Sequence, residues 1–240
     1  MRPPPPQPRG PDWQRLLASL GQTARAPGLR DFYQSGCVSA DTPLAEVPLV
    51  ALDVETTGLD PRRHSIVSIG LMPFDLQRIR CADAWYRVVR PDTPLSPESV
   101  TFHRITHSEI SQAPSLDEVM DELLQQLRGK VMVVHYRTIE RGFLDMAVRR
   151  RFAEGLQFPL IDSMELEARL HRGRRQPGML ARLLGRQPAS IRLADSRLRY
   201  GLPLYPAHHA LSDALATAEL LQAQVATHFD PQQPVRNFWS

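Results

Sequence analysis

Val47-Pro48-Leu49-Val50-Ala51-Leu52-Asp53-Val54-Glu55-Thr56-Thr57-Gly58-Leu59 runs an apolar segment straight into two carboxylates. The run from Val47 to Leu52 predicts a buried strand. Unpaired charge at the end of such a strand is expensive. Clustered carboxylates are commonly compensated by a divalent cation, and their hard oxygens suit magnesium or manganese. Strand residues two apart share a face, so Asp53 and Glu55 point the same way. Thr56-Thr57-Gly58 then turns the chain. An isolated Asp-x-Glu is common and usually a solvated pair, so the motif gains meaning only from partners elsewhere.

The chain has 240 residues, enough for one large domain or a domain with appendages. With 42% hydrophobic and 23% charged residues, its composition is that of a soluble globular protein. It holds no run of about 18 apolar residues, so no membrane span is expected. The start, Met-Arg followed by prolines, lacks the apolar core of a signal peptide, and a cytoplasmic location is expected. Cys37 and Cys81 make no metal spacing and demand no disulfide.

Net charge is +3, and Lys130 is the only lysine. Arg149, Arg150, Arg151, Arg169, Arg172, Arg174, Arg175, Arg182 and Arg186 crowd one stretch, followed by Arg192, Arg197 and Arg199. A basic surface near carboxylates suits a polyanionic substrate. A solvated helix face explains any single arginine equally well.

Residues 1–12 read as a disordered Pro-rich tail. Residues 13–46 read as a helical extension, opened by an amphipathic helix on Trp13, Leu16, Leu17 and Leu20. The main domain is expected over 47–230 and a C-terminal tail over 231–240. Strands are expected at 48–54, 65–74, 82–90 and 131–134, with another ending at Leu160-Ile161-Asp162. Helices are expected at 115–128, capped by Ser115, then at 138–152, 163–186 (broken at Gly173 and Pro177-Gly178) and 209–228. Hairpins followed by alternating helices and strands predict an α/β domain with a mixed sheet.

His208-His209-Ala210-Leu211-Ser212-Asp213 opens the last helix. Asp213 shares a face with Ala216, Thr217 and Leu220, a stripe of small and apolar residues. The alanines allow close approach to the sheet. His208 lies at the helix N-terminus, which disfavours added positive charge. A neutral imidazole beside a nucleophilic water is what a general base requires. Two ordinary surface histidines near a cap fit the same pattern. The segment Val134 to Asp145 holds two more acids. Glu140 shares its helix face with Phe143, Leu144 and Ala147 and packs toward the sheet. Asp145 lies between Arg141 and Arg149, a surface ion-pair arrangement. Glu140 is therefore the better site candidate; a favourable charge in the first helical turn is the other reading. His103 and His107 are four apart but lack a third ligand, and a structural or substrate-side role suits them better. His64 and His171 carry no signal.

Asp-x-Glu-Thr-Thr-Gly-Leu at 53–59, His-x-x-x-x-acid-x-x-Phe-Leu at 135–144 and His-x-Ala-Leu-x-Asp-Ala at 208–214 resemble, in order and spacing, the three motifs of the DEDDh, or DnaQ-like, 3′–5′ exonucleases. The resemblance covers about residues 48–229, and Ile161-Asp162-Ser163-Met164 looks like the strand-end segment after the second motif. It implies a ribonuclease H-like α/β fold, a mixed five-stranded sheet flanked by helices. It also implies phosphodiester hydrolysis with two Mg²⁺ or Mn²⁺ ions. By position, Asp53, Glu55, Glu140 and Asp213 would hold the ions, with Asp53 bridging both, and His208 would take the proton of the attacking water. Thr56, Thr57, Gly58, Leu59 and His135 would contact the substrate, with Leu59 as an apolar wedge against the terminal base. A turn residue covering the core is the other reading of Leu59. The implied partners are single-stranded DNA or RNA 3′ ends, DNA favoured, and a DNA polymerase or repair protein. Two departures stand out. Glu140 occupies a position where the family usually has Asp, and His135-Tyr136-Arg137 replaces the usual His-Asn-Ala. They motivate an alternative: a catalytically weakened module that binds nucleic-acid ends or serves as a polymerase-associated subunit.

Overall fold

Five strands, β1 (Leu49–Thr56), β2 (Ile66–Phe74), β3 (Trp85–Val88), β4 (Val131–Val134) and β5 (Leu160–Asp162), form one mixed sheet in the order β3-β2-β1-β4-β5. The computed structural model describes residues 10–93, 105–172 and 189–240. β1 runs antiparallel to β2, and β2 to β3. β1 and β4, and β4 and β5, are parallel. Central parallel strands are covered on both faces and read as unbroken apolar runs. Val131 to Val134 and Leu49 to Leu52 obey this and are buried throughout.

Helices α1 (Trp13–Thr23), α2 (Pro27–Gln34), α3 (His107–Gln112), α4 (Leu116–Leu127), α5 (Arg137–Phe152), α6 (Ser163–Arg172), α7 (Leu193–Arg199) and α8 (Ala210–His228) flank the sheet. Ser115 caps α4 in a reciprocal capping box with Glu118. α8 packs along β1 and β2 through buried Ala214, Ala218 and Leu221. Its alanines give it the close approach that the sequence predicts. Among the described residues, no helix is long and apolar enough to cross a membrane.

The α/β mixed-sheet expectation holds, and several element limits are corrected. The third strand is only Trp85–Val88, because Cys81–Asp83 winds into a 3₁₀ turn. The N-terminal extension carries a second helix, α2, which has Pro27 at its first turn. Neither α3 nor α7 was expected from periodicity. α3 is a six-residue helix opened by the Thr106–Glu109 capping box. The tail to residue 9, His103, Arg174, Arg175, Arg182 and Arg186, and the helix expected past 172, lie outside the described residues.

Both ends of the described chain are built into the core. Trp13, Leu17, Leu29 and Phe32 belong to the same buried cluster as Leu49 and Val131. Asp12 caps α1 by accepting from the Arg15 N–H at 3.1 Å. Glu154 accepts the N–H groups of Arg25 and Ala26 just before α2. The Tyr33 hydroxyl donates to the Gly155 carbonyl at 2.7 Å. At the other end, Trp239 bridges Ile161, and the Ser240 N–H donates to the Leu160 carbonyl. This closes the open edge of β5, a row of groups that would otherwise template pairing with another chain. Arg141 ties the two ends together. It donates to the Ser240 and Phe158 carbonyls and lies over the Trp13 ring. That employment takes it away from the Asp145 pairing expected from the sequence; among the described residues, the ion pair of Asp145 is with Arg149.

Removing residues 1–36 is therefore expected to destroy cooperative folding rather than shed an independent appendage. Trp13→Ala alone should lower the urea-unfolding free energy by about 3–5 kcal/mol. An unchanged midpoint would show that α1 merely rests on the surface.

Candidate metal centre

One row of residues across the sheet sets the geometry. Asp53 on β1 faces Gly70 on β2, and Gly70 faces Tyr86 on β3. Directly paired residues point to the same side of a sheet. The first turn of α8 sits on this row. A methyl group added at Gly70 would lie 2.4 Å from the Ala210 carbonyl and the Leu211 nitrogen, so only glycine permits the approach. Beside it, the Tyr86 and His209 rings stack at 4.8 Å between centroids, with 20° between planes. His209 is the N-cap of α8, so the stack fixes where the helix begins.

This docking brings Asp213 to the end of β1. Asp53, Glu55 and Asp213 each offer an oxygen, all within 4.8 Å of one another. The His208 N–H donates to Asp213 Oδ2 at 2.8 Å. His208 has φ of 68°, a left-handed turn just ahead of the N-cap, and its side chain is exposed. Glu140, in the first turn of α5, is 3% exposed, and its Oε2 is buried without a hydrogen-bond partner among the described residues.

The electrostatics are those of a repelling cluster. Burial first, then the charges of Glu140, Glu55 and Asp213, hold the Asp53 carboxyl well above the usual range. Burial and Asp213 push Glu55 up to about 8. Burial, opposed by its own backbone and aided by Asp162, pushes Glu140 up to about 8. Asp213 is raised by burial, against the His208 N–H that accommodates its charge. Neighbouring carboxylates in a water-poor site disfavour ionisation. A divalent cation reverses that penalty by supplying the missing positive charge. All-carboxylate oxygens fit a hard cation, and the orphaned Glu140 oxygen fits a group that lacks its partner.

A cleft of about 220 Å³ is lined by Asp53, Asp213, His208 and His135. Of the predicted substrate-side residues, only His135 lines it; Thr56 ends β1, and Thr57, Gly58 and Leu59 lie on the loop that follows. Leu193, Ala194, Leu204 and Tyr205 form its apolar wall. Leu59 is 80% exposed at the tip of the loop that follows β1. Thr57 is buried; its hydroxyl accepts from the Ser65 N–H and meets Thr93, so it closes that loop. Thr56 donates to the Gly58 carbonyl. His135 is held at both ring nitrogens, by Ser163 Oγ at 2.8 Å and the Ile191 carbonyl at 3.0 Å. Burial holds its imidazole below the usual pKa.

Sequence reasoning missed three supports. Gly70 is a glycine inside a strand, a recognisable mark of close backbone approach. Tyr86 gave no signal. Asp162 is a hub: its carboxylate accepts the N–H groups of Tyr136, Arg137, Met164 and Glu165, fixing the starts of both α5 and α6. It thereby locks Tyr136 in a left-handed conformation, φ 99°. For a bulky side chain such a backbone costs on the order of 1–3 kcal/mol.

A model of the RNase T family, described as exonuclease, matches residues 50–221. The subunit epsilon of DNA polymerase III from Treponema pallidum is 26% identical over 182 residues, 76% of this chain and 78% of that protein. The PolC-type DNA polymerase III of Thermotoga maritima is 27% identical over 183 residues, again 76% of this chain. The matched part is only 12% of that polymerase's length. Among solved structures, the nuclease domain of 3′hExo, described as a DEDDh family member bound to rAMP, superposes with a TM-score of 0.59. It is 15% identical and covers 75% of this chain and 92% of that one. The fold is thus the ribonuclease H-like fold of these nucleases.

The raised carboxyls fix the sign of a pH effect. Without cation, the folded chain keeps protons on Glu55 and Glu140 up to about pH 8, whereas the unfolded chain loses them near 4.5. Folding then takes up protons across that window, so stability falls as pH rises through it. Urea unfolding in EDTA should show this loss, and Mn²⁺ should restore stability most at the alkaline end. Gly70→Ala, which lifts Asp213 away, should weaken Mn²⁺ binding by about tenfold or more while the far-ultraviolet spectrum persists. Equal affinity would contradict the docking argument.

Proposed function

The chain belongs to the RNase T family of exonucleases, and from that premise we propose that it hydrolyses phosphodiester bonds at the 3′ ends of nucleic acid, releasing nucleoside 5′-monophosphates. The observation that carries this reading is the convergence of Asp53, Glu55 and Asp213 within 4.8 Å at a cleft, beside buried Glu140. In the proposal these four carboxylates hold two Mg²⁺ or Mn²⁺ ions. When bound, such a pair stabilises the attacking and leaving oxygens of an in-line displacement.

The chain's own groups do the rest. The cleft wall of Leu193, Leu204 and Tyr205 takes the terminal nucleotide, and Leu59 presses on its base. His208 accepts the proton of the attacking water, its backbone N–H meanwhile keeping Asp213 in place. Water adds at phosphorus, the bond to the 3′ oxygen breaks, and that oxygen leaves, taking up a proton from solvent. Glu140 reaches one methylene further than aspartate and starts from a helix turn fixed by Asp162, so it serves the site from slightly farther back. The relatives named as DNA polymerase III proteins favour DNA as substrate, a polymerase as partner and a cytoplasmic site of action. A weakened end-binding module is the second reading, motivated by Glu140.

With a 3′-labelled single-stranded oligonucleotide and Mg²⁺, wild-type protein should release mononucleotides, and EDTA should stop the reaction. Asp53→Ala should reduce kcat by about a thousandfold, roughly 4 kcal/mol of barrier. Undiminished turnover by that variant would sink the reading. Tight binding of ends without turnover in either Mg²⁺ or Mn²⁺ would establish the end-binding module instead.

A further inference from the structure

The exposed large apolar side chains among the described residues are Leu59, Tyr136, Leu198 and Leu204. Scattered single exposures need no explanation, but Leu204 stands among the cleft-lining groups and Tyr136 next to one. Leu59 tips the loop after Glu55, and Leu204 lines the cleft wall. Tyr136 directly follows His135, whose ring lines the same cleft. Tyr136 itself is 46% exposed.

Tyr136 is also the bulky residue that the backbone holds at φ 99°, the strain being maintained by Asp162. The fold gains no buried ring from this arrangement. A strained, outward-facing aromatic beside a cleft points to a ligand rather than to packing. An exposed aromatic ring is a sequence-tolerant platform for a nucleobase, because every base has a π-face.

We propose that Tyr136 stacks on a base of the bound strand next to the terminal nucleotide, and so makes the protein selective for unpaired 3′ ends. This rests on the nuclease reading and deepens it. A base stacked between neighbours inside a duplex has both faces covered and offers none to such a platform. The ring, not the hydroxyl, does the work.

Two substrates separate this idea from the nuclease reading itself. One is a single-stranded oligodeoxynucleotide; the other is the p-nitrophenyl ester of thymidine 5′-monophosphate, which has no neighbouring base. Tyr136→Ala should raise KM for the oligonucleotide by about five- to fiftyfold, with kcat within about twofold. It should leave hydrolysis of the ester unchanged. Tyr136→Phe should match wild type on both. Tyr136→Gly, which relieves the backbone, should melt no lower than wild type yet share the KM defect. Fluorescence anisotropy of a labelled dT oligomer in Ca²⁺ should rank the variants in the same order without turnover. An unchanged oligonucleotide KM and affinity in Tyr136→Ala would overturn the proposal. So would equal damage to both substrates, or a Phe variant as impaired as Ala. Wild-type protein that hydrolyses neither substrate would defeat the nuclease reading, and the anisotropy series would still decide the role of Tyr136.

Discussion

Four carboxyl groups from β1, α5 and α8 are held where their charges oppose one another, and the surrounding architecture exists to keep them there. Asp53 and Glu55 share a strand face, Asp213 is delivered by α8, and Glu140 is buried in the first turn of α5. Left to themselves these groups would move apart or stay protonated. The backbone prevents the first. Asp162 fixes the start of α5, and the close contact at Gly70 fixes the start of α8. The second is what the raised carboxyls express.

The support extends well beyond the site. The row Tyr86–Gly70–Asp53 spans three strands, so a contact at the sheet edge sets the helix that carries Asp213. On the far side, the C-terminal segment seals β5, and Arg141 links it to α1. β5 ends in Asp162, which positions α5 and with it Glu140 and Tyr136. The N-terminal helices thus help, through the core, to hold the strand end on which the site depends.

The central strand, the helix limits near Ser115 and the last helix were legible because burial imposes strong periodicity there. Asp53, Glu55, Glu140 and Asp213 were legible because acids on apolar faces are conspicuous. The short helices α3 and α7 were not, because six or seven residues span too few turns to carry a periodic signal. Tyr86 acts through a stack on His209, and Asp162 through hydrogen bonds to the start of α5, contacts across the sequence that no local pattern encodes. Arg141 read as a partner of Asp145, but the segments it joins are distant in sequence, and the i−4 rule sees only its own helix.

The most direct measurement is calorimetric titration of the protein with Mn²⁺ near pH 7 in two buffers of different ionisation enthalpy. If the carboxyls are crowded as described, they carry protons that the cation must displace, and binding should release at least one proton per chain. Binding with no proton release, or no binding at all, would contradict the account.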